Sequence, residues 1–171
     1  MITVQTKNIN TISQEKYDSI VDELQMHQTT CSCGHCGDMR KYDHYRRTVW
    51  FWGTEIVLCI QRLHCTHCGK THAILLDILV PYSRILLDDQ WQIIIFCEAR
   101  EDCEPVQQSN FRIEDRMVYA IWYKYRRHWK QKLLTEGISL AGELVKECFR
   151  CYFRQFMQIC STPNVYFSPS T

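Results

Sequence analysis

Two matched cysteine pairs dominate the chemistry that this sequence could perform. Cys33-Gly-His-Cys36-Gly37 and Cys65-Thr-His-Cys68-Gly69-Lys70 each place two thiols across two intervening residues and follow them with glycine, with 28 residues between Cys36 and Cys65. Two residues between cysteines let a tight turn aim both sulfurs at one ion, and the trailing glycine can take the positive φ such turns need. Four thiolates satisfy a tetrahedral Zn²⁺ and leave no open coordination position, so the pattern predicts one structural zinc held by Cys33, Cys36, Cys65 and Cys68. Cys31 offers an alternative register at poorer spacing. His35, His64, His67 and His72 crowd the pairs, so a histidine replacing one cysteine is a further alternative. Cys148-Phe-Arg-Cys151 repeats the spacing inside a helical apolar stripe, where cysteine reads as a small buried hydrophobe. Cys59, Cys97, Cys103 and Cys160 read the same way.

The second candidate site is cationic. On a helix drawn at 100° per residue, Val118, Ile121, Trp122, Tyr125 and Trp129 fall on one side. Arg116, Ala120, Tyr123, Arg127 and Lys130 fall on the other, with Tyr119 and Arg126 beside them. Such a face suits duplex DNA, with cations for phosphates and Arg for guanine edges. Upstream, Arg40, Lys41, Arg46 and Arg47 interleave with Tyr42, Tyr45, Trp50 and Trp52, a pattern that can track a nucleic-acid backbone. For Trp50 and Trp52, packing is the preferred reading. The expected nucleic-acid contacts are Arg46, Arg47, Arg116, Tyr123, Arg127 and Lys130.

The elements that must position these groups follow from pattern. Residues 13–27 read as a helix capped by Ser13, with Tyr17, Ile20, Val21 and Leu24 on one stripe. Thr48–Trp52 and Glu55–His64 read as strands joined at Gly53, and Thr71–Leu76 as a third strand. Helices are predicted over roughly 88–100, 113–135 and 139–160, with Asp88 and Ser139 as caps and Gly137 as a stop. The expected fold class is α+β: an N-terminal helix (1–30), a small zinc-ribbon β unit (31–80), a helical, helix-turn-helix-like bundle (84–160) and a flexible tail (161–171). The stretch Glu101–Phe111, acidic and containing Pro105, shows no clear helix of its own.

Charge is segregated along the 171 residues although the net is only +1. Residues 77–111 carry net −5 and residues 112–132 net +5. Composition, 46% hydrophobic and 23% charged, excludes wholesale disorder. No apolar run is long enough to cross a membrane and no secretory leader is read at Met1, so a cytoplasmic location is expected. Eleven cysteines, an odd number, then argue for metal rather than a disulfide framework.

Taken together, the CxxCG knuckle Cys33–Gly37, the Tyr45-Arg46-Arg47 stretch, Arg62-Leu63-His64-Cys65 running into Cys68-Gly69-Lys70-Thr71-His72-Ala73, and Leu79-Val80-Pro81-Tyr82-Ser83-Arg84 carry a resemblance. Residues 31–84 resemble small zinc-ribbon plus helix-turn-helix proteins of unknown function associated with bacterial insertion sequences. They are also similar to the N-terminal zinc-binding region of some transposases. The resemblance implies a DNA-binding zinc ribbon, acting as a transposase-associated or transposase-derived accessory factor or regulator. A zinc-stapled protein–protein adaptor or inhibitor, using the acidic and aromatic surfaces on a host or phage protein, is the alternative, and single-stranded RNA binding a third. No enzyme is expected, because the acids Asp77, Asp88, Asp89, Glu98, Glu101, Asp102 and Glu104 suit caps and solvated faces rather than a metal-holding catalytic cluster.

Overall fold

The computed structural model describes residues 1–6, 11–152 and 155–158. The expected tail 161–171, Cys160 and the end of the 139–160 helix lie outside them. The fold is α+β, with one four-stranded mixed sheet and six α-helices among the described residues. The chain divides into two compact units, the first built from residues 1–48 and 56–77 and the second from 49–55 and 78–158.

In the first unit, β1 (Ile2–Val4) pairs in parallel with β4 (Thr71–Leu76), Thr3 lying opposite Leu75. β4 pairs antiparallel with β3 (Thr54–Cys65), and β3 neighbours β2 (Met39–Phe51), giving the order β1-β4-β3-β2. Strand β1 is too short to be legible as a pattern; its parallel partner defines it. Helix α1 (Gln14–Asp22) starts where expected, with Ser13 Oγ accepting from the Lys16 amide at 3.2 Å. It ends earlier than predicted and is followed by a 3-10 turn at Met26–Gln28. Tyr17 explains how α1 is seated: its buried hydroxyl donates to the Ile74 carbonyl at 2.9 Å and accepts from the Gln61 amide at 3.0 Å. The Gln14 side chain likewise exchanges two bonds with the Cys59 backbone, acting as a short surrogate strand.

β2 and β3 are longer than their β-branched stretches suggested, and their tip belongs to the second unit. The turn uses positive φ at both Trp52 (48°) and Gly53 (71°), the geometry of a tight hairpin connection. A Cβ at Gly53 would also meet the Phe111 ring at 2.5 Å, so that exposed ring would have to swing aside. Arg112 Nε donates to the Gly53 carbonyl at 2.9 Å and fixes the tip.

The second unit is helical: α2 (Leu87–Ala99), α3 (Glu104–Ser109), α4 (Asp115–His128), α5 (Lys130–Glu136) and α6 (Leu144–Tyr152). Its core joins Trp50, Ile93, Ile94, Val106, Ile113, Ile121, Tyr125, Trp129, Leu133, Leu144 and Cys148. Each α4 residue in that core comes from the apolar side predicted for the helix. The single helix expected over 113–135 breaks at Trp129, whose φ of −116° departs from helical geometry. Gly137, at φ 64°, stops α5 as expected. Leu86 rather than Asp88 flanks the start of α2, and Asp88 sits in the first turn. The unanticipated element is α3: Pro105 occupies its first turn, where the missing N–H costs nothing. α2 packs on α4 and α3 on α2.

Candidate metal centre and cationic helix face

The two knuckles close by different turns, and that decides which sulfurs meet. In the second, the Gly69 amide donates to the Cys65 carbonyl at 2.9 Å, with Gly69 at φ 72°. In the first, the Cys31 amide donates to the His35 carbonyl (2.8 Å) and the Gly34 amide to the Cys31 carbonyl (2.9 Å), Gly34 standing at φ 93°. The tight turn is therefore Cys31-Ser32-Cys33-Gly34, two residues ahead of where CxxC spacing put it. Cys31, Cys33, Cys65 and Cys68 bring their sulfurs within 4.8 Å of one another. The set differs from the expected one at a single position: Cys31 stands in place of Cys36. Cys36 lies exposed beyond the turn, its sulfur 3.5 Å from the His27 carbonyl.

The geometry fits a tetrahedral ion. Metal–sulfur bonds of about 2.3 Å give tetrahedral edges of about 3.8 Å. The Cys31–Cys68 sulfurs are 3.5 Å apart and the Cys33–Cys65 sulfurs 3.9 Å. The thiols differ in environment. Burial pushes Cys31 up to about 12, whereas the backbone N–H of His35, hydrogen-bonded to Cys33, brings that thiol down to about 6. A bound cation would override the burial penalty by deprotonating its ligands outright.

Of the four histidines expected near the site, His72 is the one joined to the buried sulfur, with Nε2 3.2 Å from Cys31 Sγ. The Met1 nitrogen lies 2.9 Å from its Nδ1. With Nδ1 accepting, Nε2 carries the proton and donates it to sulfur, the partner role that steadies a metal-ligating thiolate. Burial lowers His72 to about 4, which keeps the ring neutral. His35 and His67 stack on each other at 3.3 Å, and His64 lies beside Tyr42. No histidine is a member of the metal-holding set, although His35 Nδ1 also lies 3.7 Å from Cys33 Sγ.

The expected nucleic-acid residues are divided between the two units, Arg46 and Arg47 in the first and the others on α4 and α5 in the second. Arg46 and Arg47 are neighbours on β2 and so point to opposite faces. Arg46 is exposed, whereas Arg47 is half-buried and bonded to Tyr45, with burial lowering its pKa. Trp50 packs in the core of the second unit, as expected. Trp52 does not pack: it is 74% exposed.

On α4, Arg116, Tyr119, Ala120, Tyr123, Lys124, Arg126 and Arg127 are exposed and Ile121 and Tyr125 are buried, so the two-sided character read from the sequence is present. Lys130 departs from that stripe. Its ammonium is 2.7 Å from Glu98 on α2 and lies over the Trp122 ring. Arg116 pairs with Glu114 at 2.7 Å, and Arg127 donates to the Tyr123 hydroxyl at 2.8 Å. Trp122, placed on the core side by periodicity, is half-buried and lines a surface cleft with Tyr119, Tyr123, Arg126 and Arg127.

Residues 31–109, from the first cysteine of the metal group to the end of α3, match a domain of unknown function (DUF6431). No curated protein and no solved structure matches the chain. Among the described residues no helix is long and apolar enough to cross a membrane.

Proposed function

We propose that this chain is a non-catalytic, zinc-stapled DNA-binding protein. The four-thiolate centre serves as a structural staple, and α4 supplies the DNA-contacting face. Zinc is the metal that the donor set favours: four thiolates at tetrahedral spacing leave no open position for a substrate. The observation that carries the DNA reading is the order α2, α3, turn, α4. A short helix now precedes the cationic helix, and α4 turns its apolar side into the core while Arg116, Lys124, Arg126 and Arg127 face outward. That is the element order of a helix-turn-helix motif. The resemblance of residues 31–84 to zinc-ribbon proteins of insertion sequences supports an accessory or regulatory role beside a transposase.

The test is a salt series of binding to duplex DNA. A helix contacting phosphates through its cations loses affinity steeply with salt, and each lost contact lowers the slope by roughly one. Arg116→Ala should show that reduction with an unchanged melting temperature. Weak, salt-independent binding would defeat the reading. It would turn attention to the adaptor alternative, which the exposed rings of Trp52 and Phe111 at the hairpin tip favour.

A further inference from the structure

The cleft on α4 has chemistry that a regular duplex does not use. It encloses about 470 Å³ and is lined by Tyr119, Trp122, Tyr123, Arg126 and Arg127. Tyr119 and Tyr123, one helical turn apart, stack at 6.3 Å with an interplanar angle of 23°. They are 68% and 47% exposed, costly for rings that contribute nothing to the core. Trp122 is already covered: the Arg126 guanidinium lies 5.8 Å and the Lys130 ammonium 5.9 Å from its ring centre. The tyrosine pair is more exposed than Trp122, and Tyr119, with no cation over its ring among the described residues, is its most open member. Arg127 is held over Tyr123 both by the hydroxyl bond and by its place 5.9 Å from the ring centre. Among the described residues no carboxylate pairs with Arg126 or Arg127. Both positive charges are therefore open to an anion beside the exposed Tyr119 ring.

We propose that this cleft seats an unpaired nucleotide, its base stacked on the Tyr119–Tyr123 platform and its phosphate bound by Arg126 and Arg127. The proposal rests on the reading of α4 as a nucleic-acid face and specifies what that face takes. Within a duplex each base face is covered by its neighbours, so a side-chain ring approaching from a groove meets only base edges. A bulged, terminal or flipped-out base offers a free face, and stacking of bases on aromatic side chains is tolerant of sequence. Phosphate requires the neighbouring cations, and the cleft supplies two that are not neutralised.

The experiment uses the full chain and two labelled 20-mer duplexes, one fully paired and one carrying a single bulged 2-aminopurine. The bulged duplex should bind more tightly, with quenching of 2-aminopurine fluorescence as its base stacks. Tyr123→Ala should abolish the quenching and weaken the bulged complex roughly 5- to 150-fold, the range for losing one base–aromatic stack. The paired duplex should change little. Tyr123→Trp should retain the quenching, because it keeps the platform. Both substitutions are at an exposed position, and thermal melting checks that the fold is intact. Equal affinity for the two duplexes without quenching would overturn the inference while leaving DNA binding in place. Binding to neither duplex would overturn both.

Discussion

Asn110, in the turn between α3 and α4, donates from Nδ2 to Asp89 Oδ2 at 2.8 Å, and both residues are buried. This bond ties the turn that aims α4 to the first turn of α2. Burial, with Asp88 adding to it, raises the Asp89 pKa above its ordinary value, although the bond from Asn110 opposes the shift. The folded state then holds the Asp89 proton more tightly than the unfolded chain does. Stability from this group is therefore present below the unfolded pKa and is lost as pH rises through the folded one. Asp89→Asn keeps an acceptor for Asn110 and removes the titration. The difference between parent and variant in urea-derived stability should shift in the variant's favour across that window and stay constant above it. A difference independent of pH would show that Asp89 ionises in the fold as freely as in water.

The metal centre makes a sharp distinction between two neighbouring cysteines. Cys31→Ser should lose the ion and unfold the knuckles, since ligation in small zinc domains contributes on the order of 10 kcal/mol. Cys36→Ser, removing a thiol outside the group, should retain one zinc per chain by elemental analysis. The reverse result would restore the set that CxxC spacing suggests.

Burial on α4 sets a graded series for stability. Tyr125 is 3% exposed and packs in the core of the second unit, so Tyr125→Ala should cost about 3–5 kcal/mol. Trp122→Ala should cost less, because its ring is only partly buried at the edge of that core. Denaturant midpoints at constant m-value measure both.

Trp52 carries a backbone that favours glycine or asparagine, at φ 48°. Its left-handed geometry costs roughly 1–2 kcal/mol for a side chain of this size, and its exposed ring recovers little of that. Trp52→Asn should raise the melting temperature without changing metal content. A lower melting temperature would mean that the Phe51–Trp52 ring contact outweighs the strain.

What was legible in the sequence was what local periodicity records. Ser13, Gly137, the strand Thr71–Leu76 and the two sides of α4 lie where the pattern put them, because each is set by residues within a turn or two. Cys65 and Cys68 were legible for the same reason. Cys31 was legible only as a second register, because CxxC spacing presumes where the turn closes, whereas the bond from the Cys31 amide to the His35 carbonyl closes it earlier. Helix α3 was hidden by Pro105, a breaker inside a helix but a neutral residue in its first turn. Strand β1 and the partnering of Lys130 with Glu98 depend on residues distant in the chain. No window of sequence contains both halves of either.

The Cys33 and Cys65 sulfurs, 3.9 Å apart, belong to residues 32 positions apart in the chain. In an unfolded chain an ion would have to close that loop against its conformational entropy. Once β2 and β3 have paired, the loop is already closed. The expected order of assembly is therefore the hairpin first and an ion second. A hairpin zips on the order of microseconds, so capture of an ion should be paced by the supply of free metal.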